Sequence, residues 1–349
     1  MNGLLAYSGI TTKVRAMEGH LISDSQFQNM AALERVSDAV DFLKQLPSYQ
    51  TVLANLESDQ LHRGMIEQCL TLSQYHDFAK LYRFSNPSQR KFLDLYFMHY
   101  EIAILKKCLR NVLDRKKFQL NLFVFQKFFD RHSKLDLIRL STAENLDDFV
   151  ANLHGSPYYE PLLKLSEESS DVSLFDYEMH LDLMYFKVMW KIKDKLLSKK
   201  EREILTQCFG SKLDMLNIQW IYRSKKYYNL SSTDIYALLI PVQHRLKNDD
   251  IMKMAEAGNL DEFYQALHGT FYGSLELTDL NEKPDLEELY EKVLNRIHRL
   301  TSKRQPYSIA TLNSYLYFKE LEIRKIITVI EGIRYDLGAA TICSYIMKN

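Results

Sequence analysis

Glycine and proline are scarce in this chain, 11 and 7 of 349 residues, against average usages of about 7% and about 5%. Few breakers, with abundant Leu, Lys, Glu and Gln, favour long helices, and no alternating apolar pattern competes with them. Cysteine is also sparse. Cys69, Cys108, Cys208 and Cys343 are scattered without paired spacing, which argues against a cysteine zinc site and fits a reducing compartment. Net charge is missing too: 45 basic and 45 acidic residues cancel, so no overall basic field exists to attract nucleic acid. No run approaches the roughly 18 apolar residues of a membrane span. The start, Met1-Asn2-Gly3-Leu4-Leu5, lacks a charged leader followed by a long apolar core. A cytosolic protein is expected, or one held at a membrane through another protein.

Catalytic signatures are absent as well. The sequence contains no phosphate-binding loop, no dinucleotide-binding G-x-G-x-x-G after a strand, no H-E-x-x-H and no G-x-S-x-G. The ten histidines form no cluster at metal-ligand spacing. His154 and His268 each precede a glycine, which predicts left-handed helix stops at Gly155 and Gly269 and a carbonyl-capping role for the histidines. Four short basic runs, Lys106-Lys107, Arg115-Lys116-Lys117, Lys199-Lys200 and Arg223-Ser224-Lys225-Lys226, read as solvated helix ends. The aromatic and basic stretch Tyr222 to Tyr228 is the nearest thing to a base-stacking platform, and it reads as a junction at the end of a long helix. The chain is therefore expected to bind no cofactor, metal or nucleotide and to catalyse no hydrolysis.

What is present is repetition. An acidic residue followed by Phe, then Leu four residues on and a Tyr-containing turn, occurs as Asp41-Phe42 to Leu46 with Tyr49, Asp148-Phe149 to Leu153 with Tyr158, and Glu262-Phe263 to Leu267 with Tyr272. The phenylalanines at 42, 149 and 263 are 107 and 114 residues apart, too far for a solenoid unit and right for small domains with their own cores. Glu101, Asp214 and Glu322 repeat in the same register, 113 and 108 residues apart, each inside a long helical pattern. After the last of them Ile323, Ile326, Ile327, Ile330 and Ile333 form one apolar stripe. Three helical repeats follow, at 1–116, 117–229 and 230–349.

Within each repeat the pattern predicts a motif helix and then two longer helices. They fall near 24–46, 59–84 and 88–114 after an opening helix at 7–20, then 142–154, 174–198 and 201–227, then 259–268, 285–302 and 308–337. Asn145 and Asn259 are the expected caps of the later motif helices, and Ser232-Thr233-Asp234 of the helix opening the third repeat. A carboxylate beside an apolar stripe must be solvated, neutralised or paired. Glu101, Asp214, Glu322, Arg110, Arg223 and Arg334 are accordingly candidates for structural or inter-repeat ion pairs. The first two arginines lie nine residues past their acids, on the opposite helix face, so any such pair must form between helices or between repeats.

The segment Asn217-Ile218-Gln219-Trp220-Ile221-Tyr222-Arg223-Ser224-Lys225-Lys226-Tyr227-Tyr228, followed by Leu238-Leu239-Ile240-Pro241, resembles the central region of the C-subunit family of V-type and archaeal-type ATPases, whose eukaryotic members are called the d subunit. Lys319 to Ile326, Ile330 to Tyr335, and Tyr7 with Val14-Arg15-Ala16-Met17 resemble its C-terminal and N-terminal stretches. The resemblance spans essentially the whole chain, and departs from the family only where Leu46-Pro47-Ser48-Tyr49 replaces the Leu-His-Gly turn of the later repeats. It implies an all-α protein of three helical domains in a pseudo-threefold funnel, without catalytic residues. It also implies a place on the cytoplasmic face of the membrane, between the proteolipid ring and the central-stalk rotor subunits of the D and F types, with the membrane stator as a further partner. A free-standing cytosolic scaffold, a weakly supported RNA-binding role and a hydrolase using the repeated acids are the competing assignments.

Overall fold

The computed structural model describes residues 3–57, 61–113, 122–168, 173–277 and 283–346. All regular structure among them is helical, as the scarcity of breakers predicts. The chain forms two compact units, one of Met1–Ser85 with Lys199–Asn349, the other of Asn86–Ser198. The first unit opens with α1 (Gly3–Glu18), α2 (Asp24–Ala31), α3 (Val36–Lys44), α4 (Gln50–Leu53) and α5 (Arg63–Phe84). The second holds α6 (Pro87–Leu113), α7 (Phe123–His132), α8 (Leu137–Thr142), α9 (Leu146–Ala151), α10 (Tyr159–Glu168) and α11 (Leu174–Leu196). The first unit then resumes with α12 (Lys199–Arg223), α13 (Ser232–Leu238), α14 (Asn248–Glu256), α15 (Leu260–His268), α16 (Phe271–Glu276), α17 (Leu286–Arg304), α18 (Ile309–Arg334) and α19 (Ala339–Ile346).

One order of elements recurs: a long helix, a short helix, a broken helix pair, a short helix at the motif tyrosine and a second long helix. It runs through α6 to α11 and again through α12 to α17. The third instance starts at α18 and α19 and is completed by α2 to α5 at the other end of the chain. In each instance the two long helices pack on each other, α6 on α11, α12 on α17 and α18 on α5. The sequence pattern instead places α5 with α6 and α11 with α12 in hairpins, and the unit boundaries at 85/86 and 198/199 cut both of these. Periodicity reveals an apolar stripe but not what the stripe packs against. Thus Ile323, Ile326, Val329, Ile330 and Ile333 of α18 share a core with Phe27, Met30, Leu43, Tyr49, Leu53 and Leu70. The sequence-based division at 116/117 and the basic run at Arg115 lie outside the described residues.

The expected helix over 24–46 is two helices, α2 and α3. The buried face of α2 is Phe27, Met30 and Ala31, and its continuation at helical spacing would turn Glu34, Asp38 and Asp41 toward the core. A break at 32–35 shifts the phase so that Ala39, Val40 and Leu43 are buried instead. The first copy of the motif therefore sits one helical turn earlier than the residue pattern suggests. Arg35 occupies the cap position held by Asn145 and Asn259 in the other copies, and Asp38 stands where they have Asp148 and Glu262. Leu43, Leu153 and Leu267 are equivalent and buried, while Phe42 and Leu46 are only partly buried.

Both asparagine caps form, with Asn145 Oδ1 and Asn259 Oδ1 each accepting an N–H at 2.9 Å. Arg35 has no such oxygen and makes a two-point ion pair with Asp38 at 2.9 and 3.0 Å. Ser231, rather than Ser232, caps α13. α12 ends in a π-helical turn over Ser224–Tyr228, closed by Asn229 at φ 47°, which is the expected junction. Gly155 has the left-handed φ of +83°, but Gly269 stays right-handed at −71° because Thr270 at once caps the next helix.

Gly273 is fixed by packing: a Cβ there would lie 2.2 Å from the Leu267 carbonyl oxygen and 2.7 Å from His268 Cα. Backbone cannot swing aside as a side chain can. Gly273→Ala should therefore destabilise the protein by about 1–3 kcal/mol. At Gly9, where a Cβ meets nothing within 4 Å, alanine should be neutral or stabilising by up to about 1 kcal/mol. Urea denaturation midpoints for the two variants check the contrast, and equal midpoints would refute it.

Candidate functional site

Each repeated carboxylate is held by a motif tyrosine. Tyr158 Oη donates to Glu101 Oε2 at 2.6 Å, Tyr272 Oη donates to Asp214 Oδ2 at 2.7 Å, and Tyr49 Oη donates to Glu322 Oε1. All three tyrosines are fully buried. Burial pushes their pKa values upward, and the neighbouring carboxylate adds to the shift. They consequently stay protonated and act as donors. The bonds are charge-assisted, each contributing about 1.5–3 kcal/mol.

The loop ahead of each broken helix pair supplies further donors, and at Glu322 the long helix itself adds Lys319. Glu101 also accepts from Ser133 Oγ. Asp214 accepts three consecutive backbone N–H groups, His244 at 3.1 Å, Arg245 at 2.6 Å and Leu246 at 2.9 Å. Glu322 accepts the Ile22 N–H at 2.6 Å and a 2.8 Å ion pair from Lys319 Nζ. Lys319 is itself completely buried. Its ammonium also reaches Tyr49 Oη at 2.8 Å and lies 3.9 Å from Asp77 Oδ2, which takes a 2.6 Å bond from Tyr315. Lys80, half-exposed, closes the network on Asp77 at 3.1 Å. The three carboxylates thus pin a long helix to the loop before its broken pair and to the tyrosine turn after it.

The candidate arginines make other contacts. Arg110 Nε meets Glu178 of α11 at 2.5 Å, Arg223 meets Glu287 of α17 at 2.6 Å, and Arg334 donates to the Leu61 carbonyl at 2.9 Å and to Glu331 at 3.0 Å. Each ties the end of a long helix to the start of its partner long helix or to the residues just before it. These contacts are exposed or half-exposed and contribute about 0–1 kcal/mol each. The acids and arginines are therefore not joined to each other, although Arg110, Arg223, Arg334 and Glu322 each form an ion pair with another residue. Pairing acid with arginine takes the nearest repeated cation as the partner, whereas these carboxylates are satisfied by hydroxyl and amide donors and, at Glu322, also by the Lys319 ammonium. Lys319, Asp77 and Ser133 were missed altogether. One signal was available: Tyr158 and Tyr272 follow Glu101 and Asp214 by 57 and 58 residues.

The differing donors give the three carboxylates different tolerances. Hydroxyls can reverse and backbone N–H groups cannot. Glu101→Gln should cost less than about 1 kcal/mol, whereas Asp214→Asn, which sets an amide NH2 against fixed donors, should cost about 1–3 kcal/mol. Glu322→Gln leaves the Lys319 ammonium buried and should cost about 3–5 kcal/mol, less whatever Asp77 recovers. Thermal melts of the three variants check the order, and an Asp214→Asn melt matching that of Glu101→Gln would refute it.

Burial raises the Glu101 pKa above its ordinary value of about 4.5, opposed by the Ser133 and Tyr158 hydrogen bonds. With the native pKa above the unfolded one, protonation favours the folded state. That contribution is complete below the ordinary glutamate range and is lost as pH rises through the native value. The stability of wild type relative to Glu101→Gln should therefore fall as pH is raised from about 4 and then level off. Denaturation of both proteins across this range checks the slope, and a rise would contradict the assignment.

The ATP synthase (C/AC39) subunit family model matches residues 10–345. Similar proteins include the C subunit of the A-type ATP synthase of Pyrococcus horikoshii, 28% identical over 94% of this chain and 86% of its own length, and that of Thermococcus kodakarensis, 24% identical over 97% and 90%. The protein of the same name from Methanocaldococcus jannaschii is 20% identical over 94% and 83%. With a match that takes in both the carboxylate helices and all three motif tyrosines, this chain belongs to the ATP synthase (C/AC39) subunit family.

Proposed function

We propose that this chain is the non-catalytic central-stalk adaptor of a rotary V/A-type ATPase. In this assignment it joins the central rotor shaft, made of D-type and F-type subunits, to the membrane proteolipid ring, and transmits torque for ATP-coupled proton or sodium transport. The membrane stator is proposed as a further neighbour. The chain would act as three helical repeats related by a pseudo-threefold axis, peripheral to the membrane on its cytoplasmic side. Among the described residues no helix is long and apolar enough to cross a membrane.

One observation carries the proposal: the same carboxylate–tyrosine tie recurs three times, buried at Asp214 and Glu322 and part-buried at Glu101. A part that passes torque needs stiffness, and each tie fixes a long helix to two flanking loops by bonds shielded wholly or partly from water. The carboxylate oxygens are occupied by these donors, which suits support rather than proton transfer. The relatives, named as C subunits of A-type ATP synthases, supply the setting in which such a part works.

Affinity capture of the tagged chain from detergent-solubilised native membranes tests the assignment. ATPase subunits should co-purify in fixed stoichiometry, and Asp214→Ala, which abolishes one tie, should lower the yield of the assembled complex. A chain recovered without any ATPase component would sink the proposal in favour of a free-standing scaffold.

A further inference from the structure

α17 carries its cations in register. Lys292, Arg296, Arg299 and Lys303 are spaced four, three and four residues apart, which places them on one helix face. Three depressions of about 290, 360 and 310 Å³ open along this face, and Arg299 lines all of them. Lys292 and Arg296 are neutralised internally, by Glu288 at 2.9 Å and Glu276 at 3.3 Å. Arg299 and Lys303, with Lys325 across the groove on α18, have no ion-pair partner among the described residues. The Arg299 guanidinium instead sits 5.8 Å from the Phe318 ring, and Phe318 also lines two of the depressions.

We propose that this groove receives an acidic, amphipathic helical segment of a partner polypeptide. Arg299 and Lys303 stand one helical turn apart, about 6 Å, with Lys325 across the groove. Unpaired cations beside an aromatic ring ask for carboxylates next to apolar side chains, a combination that a helix supplies at fixed spacing. Glu18, Asp24 and Glu276 also line the depressions. They disfavour a nucleic-acid backbone or an anionic membrane, which bring negative charge everywhere, but a polypeptide can place its acids only opposite the cations.

The proposal goes beyond the adaptor assignment, and its test uses the isolated full-length chain, so the two can fail separately. The probe is a synthetic helical peptide with leucines beside glutamates one turn apart on a single face. Calorimetry should detect binding that weakens with added salt. The double variant Arg299→Glu/Lys303→Glu should weaken binding about tenfold, since losing several surface ion contacts amounts to about 1–2 kcal/mol. Arg299→Ala/Lys303→Ala should act in the same direction, while Lys199→Glu/Lys200→Glu, with the same change in net charge, should leave affinity unchanged. Undiminished binding by both groove variants would overturn the proposal. So would equal binding of a scrambled peptide whose acids share no face, or tighter binding of single-stranded DNA or phosphatidylglycerol vesicles.

Discussion

A carboxylate on the inward face of a long helix must find donors, because leaving it desolvated and unpaired costs far more than the helix can recover elsewhere. Glu101, Asp214 and Glu322 meet this demand with a buried tyrosine hydroxyl each, and much of the architecture follows. The tyrosine can reach the acid only if the turn that carries it folds back over the long helix. That fold-back in turn fixes where the broken helix pair lies and which loop presents its N–H groups. Glu322 takes its tyrosine from residue 49, 273 positions away, so segments far apart in the sequence complete one core.

The three ties are not chemically equal. Asp214 sits on three backbone amides and is the most rigidly specified. Glu101 depends on two hydroxyls, one of them on a loop serine, and burial raises its pKa. Glu322 belongs to a buried charged network with Lys319 and Asp77, in which each group is tolerable only because the others are present. The same geometry can thus be stabilised by different donors, provided that the oxygen atoms end up satisfied. The chain belongs to the ATP synthase (C/AC39) subunit family, and within this one chain the same tie geometry recurs although the donors differ from copy to copy.

Helical class and the regular spacing of Glu101, Asp214 and Glu322 were legible in the sequence. Glycine and proline scarcity and the 3.6-residue stripe are local properties, and the spacing of Glu101, Asp214 and Glu322 survives as a count along the chain. The asparagine caps at 145 and 259 were legible for the same reason, since a cap acts within three residues of itself. The first motif was misplaced by one turn because Phe42 looks like Phe149 and Phe263, while the residue that takes their place in the core is Ala39.

What the sequence alone determined is where helices form and which face of each is apolar, because backbone propensity and side-chain periodicity act over a few residues. Only the tertiary structure decided which stripe meets which: that α18 packs on α5 rather than completing a repeat locally, that the acids bond tyrosines rather than arginines, and that Lys319 is buried. Those choices are made by burial and donor satisfaction summed over segments from 57 to 273 residues apart, and no local pattern records the sum.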